Sequence, residues 1–118
     1  PWSEAQAGPQ PKPKPPLYAV VGVASWYGRP HHGRPTASEA TYDMDALTAA
    51  HPTLPLGTSV EVTNLENGLS VVLEINDRGP FVAARIIDVS RRAAQILGFA
   101  HQGLTRVRII APRPLTGR

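Results

Sequence analysis

Residues 59–76 read SVEVTNLENGLSVVLEIN, a pattern that commits the middle of the chain to an antiparallel pair. In Ser59–Thr63 apolar and polar side chains alternate, which puts Val60 and Val62 on one face and Glu61 on the other. Ser70–Asn76 supplies a second extended run. Between them Asn67–Gly68 tolerates the positive φ of a tight reversal, so the two runs are read as a hairpin.

Three further stretches read as strands: Tyr18–Tyr27 (YAVVGVASWY), Arg85–Asp88 (RIID) and Leu104–Ile110 (LTRVRII). Two segments carry helical spacing instead. Met44, Leu47 and Ala50 recur through MDALTAA behind Asp43; Ala93, Ile96 and Leu97 recur through RRAAQIL between Ser90 and Gly98. Asp and Ser accept the free N–H groups of a first helical turn, and Gly ends a helix by turning left-handed. The predicted fold class is mainly β, a compact barrel of short strands with two short helices. Strand, helix, strand occurs once in each half, a loose two-fold echo.

The two ends do not fit this pattern. PWSEAQAGPQPKPKPP holds six of the thirteen prolines. Residues 1–16 therefore read as an extended linker, expected to hold the domain away from an anchor outside this sequence. Residues 112–118 read as a C-terminal tail, which leaves 17–111 as the folded unit.

Charge follows the same division. The net charge is +3, but residues 17–111 hold eight arginines against eight acids, so the excess lies in the ends. A nucleic-acid interface concentrates cations on the folded face, so nucleic acid is not an expected partner. No apolar run is long enough to span a bilayer, and direct membrane insertion by this domain is not expected. The absence of cysteine excludes disulfides and thiolate metal sites. His31, His32, His51 and His101 share no ligand spacing, so no metal is expected. No Gly-rich phosphate loop appears, and no cofactor is expected.

The candidate chemistry centres on INDRGPF, residues 75–81. Asp77 ends an apolar strand and precedes Arg78, Gly79 and Pro80. Two roles fit it. It can accept backbone N–H groups of its own turn, with Arg78 paired to Asp88, or it can be a catalytic acid presented on a rigid strand end. His51 closes the first predicted helix, where a charged imidazole gains from the helix dipole. In a strand Trp26 and Tyr27 point to opposite faces, so one is core. The outward one, with Tyr42, can stack on the apolar face of a sugar.

In order along the chain stand ASWYG, HGR-x-TA, LTAAH-x-TLP-x-GT, VTNLxNG and NDRGPF. With these, residues from about Gly22 to Ile110 resemble the double-psi β-barrel domain of the rare lipoprotein A family, bacterial envelope proteins that act as septal lytic transglycosylases on peptidoglycan. The resemblance implies a six-stranded double-psi β-barrel with pseudo-two-fold symmetry. It also implies an active site that includes His51 and Asp77. The family's glutamate, from the pattern T-A-(N/S)-G-E, falls on Ala40 here, and Glu39 stands where the family has glycine. Glu39 is then the candidate stand-in catalytic carboxylate, and Trp26, Tyr27, Tyr42, Arg34 and Arg78 are the candidate substrate contacts.

The implied reaction is endolytic cleavage of MurNAc–GlcNAc bonds in strands free of stem peptides, during cell-wall remodelling and septation. The sugar's own C6 hydroxyl closes onto C1 and leaves a 1,6-anhydro end. The implied setting is the periplasmic side of the outer membrane at the division septum, with a lipid anchor outside this sequence and the protein a monomer. The alternative, drawn from Ala40, is a non-catalytic expansin-like module that binds peptidoglycan glycan strands.

Overall fold

A computed structural model of the chain describes residues 17–112; the predicted linker and the tail from residue 113 lie outside the described residues. Its strands are β1 (Leu17–Tyr27), β2 (Thr48–Ala50), β3 (Ser59–Asn64), β4 (Ser70–Asp77), β5 (Arg85–Ser90) and β6 (Leu104–Pro112). A 3₁₀ turn covers Arg29–His31, and the α-helix α1 covers Arg91–Leu97. The strands close into a six-stranded barrel in the order β1-β5-β2-β4-β3-β6.

The hairpin forms as the alternation requires. Val60 pairs with Leu73 and Val62 with Val71, and both β3 valines are wholly buried while Glu61 is exposed. Ile75, Ile87, Val89, Val107 and Ile109 complete the barrel interior. Helix α1 closes one side with Ala93, Ala94 and Leu97. Ser90 Oγ accepts from Ala93 N, and Gly98 ends the helix at φ 78°, both as the sequence predicts.

The two-fold echo is present in the pairing itself. β1 runs parallel to β5 and antiparallel to β6; β4 runs parallel to β2 and antiparallel to β3. The remaining contacts, β2 with β5 and β3 with β6, are both antiparallel. Exchanging β1 with β4, β2 with β5 and β3 with β6 returns the same pattern.

The first predicted helix does not form. Asp43 does accept from Asp45 N, at 2.9 Å, but the turn goes no further and Thr48–Ala50 become β2. Ala49 pairs with Ile75 on one side and Val89 on the other, and Ala50 pairs with Asp77 and Asp88. An isolated helix of this length is marginal in water, whereas a strand in this position satisfies backbone groups on both edges and closes the barrel. His51 therefore follows a strand, and no helix dipole reaches it.

Candidate functional site

Registered partners on neighbouring strands share a face of the sheet. Ser25 of β1 pairs with Asp88 of β5, Asp88 with Ala50 of β2, and Ala50 with Asp77 of β4. Four adjacent strands thus present one row, Ser25–Asp88–Ala50–Asp77, beside the wholly buried Ala49, Val89 and Ile75. Asp77 joins it because the β2–β4 ladder slips by one residue, leaving Asn76 unpaired. Bulges re-aim side chains in this way. Neighbouring strands lie about 4.8 Å apart, which sets the Asp77 and Asp88 backbones about 10 Å apart.

Asp77 Oδ1 accepts from Ala37 N and from Arg78 N, each at 2.9 Å. The first bond ties the loop over residues 36–40 to the end of β4; the second closes the turn into Gly79–Pro80. Asp77 is half-buried, and its backbone oxygen accepts from His51 N at 3.1 Å. Arg78 does not pair with Asp88. Its Nη1 donates to His51 O at 3.1 Å and Leu54 O at 2.6 Å, carbonyls that the bend after β2 leaves without a ladder partner. Asp88 is held by Ser25 Oγ and by Arg85 Nη2, the latter at 2.7 Å.

His51 is 3% exposed. Its Nδ1 accepts from Thr53 N at 3.1 Å and Leu54 N at 3.0 Å, which assigns the ring proton to Nε2, facing Tyr18 Oη at 3.1 Å. Burial, with the Arg78 charge beside it, lowers its pKa to about 4. The ring is a neutral cap that locks the corner carrying Asp77.

The aromatic side chains sit deeper than their residue types suggest. Trp26 packs on the core and donates Nε1–H to Ala100 O at 3.1 Å. Tyr42 is 1% exposed, so it offers no open face to a sugar. It stacks on Tyr27 with ring centroids 4.3 Å apart and donates its hydroxyl to Tyr27 O, which organises the long β1–β2 connection. The Tyr27 hydroxyl is itself buried and unbonded; burial, then the Asp77 charge, raises its pKa. Arg34 is exposed on the same connection. Among the described residues, the aromatic ring that does stand open is Phe81, 81% exposed, four residues beyond Asp77.

The family model described as lytic transglycolase matches residues 19–109. The chain belongs to the lytic transglycolase family. It is 54% identical over 92 residues to the endolytic peptidoglycan transglycosylase RlpA of Pseudomonas aeruginosa, covering 78% of this chain and 27% of that protein. Against the protein of that name from Neisseria meningitidis it is 55% identical over 92 residues, 78% of this chain and 38% of that one. The chain therefore spans between a quarter and two fifths of the length of these relatives.

Two solved structures share the architecture. The Streptomyces papain inhibitor matches with a TM-score of 0.64 at 22% identity, over 80% of this chain and 94% of that one. A Clavibacter michiganensis expansin in complex with cellohexaose matches with a TM-score of 0.65 at 17% identity, over 86% and 54%. At these identities the likeness concerns the fold, a double-psi β-barrel.

In this lytic transglycolase domain the segment Thr36–Ala40 forms a tight turn. Thr36 N donates to Ala40 O at 2.8 Å, and Glu39 takes φ 71°. That left-handed conformation favours glycine, the residue that the family pattern has at this position. Glu39 and Ala40 are both exposed. The other carboxylate in Asp77's row is Asp88, which the sequence suggests only as a partner for Arg78. Its place depends on register across three strands, for which no local pattern exists.

Proposed function

We propose that the domain is the catalytic unit of a peptidoglycan lytic transglycosylase, cleaving MurNAc–GlcNAc bonds in strands without stem peptides. The observation that carries this reading is Asp77: a half-buried carboxylate on a strand end, with Oδ1 fixed by two backbone N–H groups. The names of the relatives support the same reaction. In the reading, protonated Asp77 gives its proton to the glycosidic oxygen as the C1–O bond breaks. The carboxylate then takes the proton of the C6 hydroxyl as C6–O closes onto C1, and no water is consumed. Such acid–base help is worth about 10²–10⁴-fold.

Neutral His51 holds the corner and does not relay the proton. Asp88 faces the positive charge developing at C1, and Phe81 supplies a sugar-stacking face. The Pro/Lys-rich composition of residues 1–16 suits a tether; placement at the outer membrane and septum follows from the family resemblance alone. A fluorescent fusion of the full-length protein spread evenly along the cell would overturn the septal placement.

The test is digestion of peptide-free glycan strands by wild type and Asp77→Asn, with mass spectrometry of the ends. Anhydro ends from wild type, reduced about 10²-fold or more by the variant, are expected. Strands retained but uncut by both proteins would instead establish the non-catalytic glycan-binding module, the reading that Ala40 favours.

A further inference from the structure

Two strands from Asp77, on the Asp88 side of the row, lies a cavity of about 500 Å³, of whose walls the proposed reaction uses Asp88 alone. Its walls include Trp26, Tyr27, Arg29, His31, Arg85 and Asp88. The volume is in the range of small-ligand sites. Its charge is unbalanced. Asp88, the carboxylate in the wall, is already engaged by Ser25 and Arg85. Arg29 is exposed and makes no ion pair among the described residues. The two guanidinium groups face one engaged carboxylate, which leaves an excess of one positive charge and several N–H donors. Trp26 adds an apolar wall. A cavity with spare cationic donors beside an aromatic wall suits a ring that carries an anion, and a planar guanidinium matches a carboxylate in particular.

We propose that this cavity is a subsite for a pyranose bearing a free carboxylate, with Arg29 and Arg85 holding the carboxylate and Trp26 the ring. The inference rests on the glycan reading above and gives that reading a specificity device. A muramic sugar carries a lactyl carboxylate when no peptide is attached; a stem peptide converts it to an uncharged amide. The subsite therefore distinguishes stripped strands from peptide-bearing ones by charge, two strands from the carboxylate that performs the cleavage.

The experiment compares binding of peptide-free strands with that of the same strands after carbodiimide conversion of their carboxylates to primary amides. Wild type, Arg29→Ala and Arg108→Ala are titrated in parallel, the last an exposed arginine on β6 that controls for general charge attraction. A hydrogen-bonded contact to a charged group is worth about ten- to a hundred-fold in affinity. Wild type and Arg108→Ala are expected to bind amidated strands weaker by about that factor. Arg29→Ala should bind free strands about ten-fold weaker, with amidation then costing little more.

Equal binding of both strands by wild type overturns the subsite. So does an Arg29→Ala loss that is the same for free and amidated strands, or a loss matched by Arg108→Ala. Product analysis on the same samples separates the two ideas. Discrimination without anhydro ends overturns the lytic reading alone, anhydro ends without discrimination overturn the subsite alone, and retention of neither strand overturns both.

Discussion

At the end of β5, Ser90 Oγ accepts the N–H of Ala93 and starts a seven-residue helix. At the two-fold-related end of β2, His51 Nδ1 accepts the N–H groups of Thr53 and Leu54, and the chain bends through HPTLPLG. Both corners solve one problem: the first donors after a strand need an acceptor. They differ because Pro55 lacks the N–H that would close the first helical hydrogen bond after β2, whereas RRAAQIL favours a helix after β5. The consequence is chemical. The Ser90 corner ends in packed apolar surface. The His51 corner leaves carbonyls free for Arg78 and a backbone N–H for Asp77, and so holds a carboxylate on the surface. The barrel supplies two equivalent corners, and the residues after the strand decide which one bears a site.

The largest effect is expected from returning to the His51 corner the carboxylate that the family pattern places at Ala40. Ala40→Glu is expected to raise anhydro-product formation by about 10²-fold, the lower range for a positioned acid or base. Initial rates on peptide-free strands measure it. An unchanged rate would mean that the Asp77 corner works as a single-carboxylate site.

Breaking the His51 cap comes next. His51→Ala leaves two backbone N–H groups without their acceptor and is expected to cost about 3 kcal/mol. Acid should weaken the same cap. With a folded pKa of about 4 against about 6.5 unfolded, the unfolded chain binds the extra proton between those values. The contribution is therefore complete above pH 6.5, declines as pH falls toward 4 and changes no further below it. The shift corresponds to a loss on the order of 3 kcal/mol. His51→Asn keeps an acceptor near the Nδ1 position but does not titrate. Denaturant midpoints from pH 4 to 7 should slope for wild type and lose this slope in the asparagine variant; parallel slopes would refute the assignment.

Much of this was legible in the sequence, and the misses have physical causes. Alternation located β3, β4 and β6, and Ser90 with Gly98 bracketed α1, because each is a local preference that the fold respects. β2 was hidden since its three residues lie in a run whose spacing equally suits a helix, and their pairing with β4 and β5 is decided far away in sequence. Asp77 and His51 were singled out by their local positions and by motif resemblance. The Asp88 row, the Arg78 carbonyl bonds and the burial of Tyr42 were not, since each depends on which strands become neighbours.

The Ser90 corner should yield a smaller loss. Ser90→Ala removes the cap and the bond from Oγ to Ala46 O, 2.5 Å long, at an expected cost of about 1–2 kcal/mol. Thermal or denaturant unfolding measures it, and the cleavage rate of the folded variant should match wild type. A Ser90→Ala rate as low as that of Asp77→Asn would mean that the two corners are not functionally separate.

The smallest expected effect separates the corners at their left-handed residues. Gly98, φ 78°, ends α1, and a Cβ there would meet Asn67 Nδ2 at 2.8 Å, so both backbone and space favour glycine. Glu39, φ 71°, takes the same conformation in the loop bound to Asp77, but as a residue that pays for it. Glu39→Gly relieves a left-handed strain of about 1–2 kcal/mol and gives back part of it as unfolded-chain entropy. The net expectation is a gain of about 0.5 kcal/mol, read from the denaturant midpoint. Its value lies in the second readout. If Asp77 works with Asp88 across the row, the cleavage rate is unchanged, because the exposed Glu39 carboxylate takes no part. A rate reduced by 10²-fold with stability intact would make Glu39 the stand-in for the missing glutamate, and would move the second carboxylate from the barrel row to the loop.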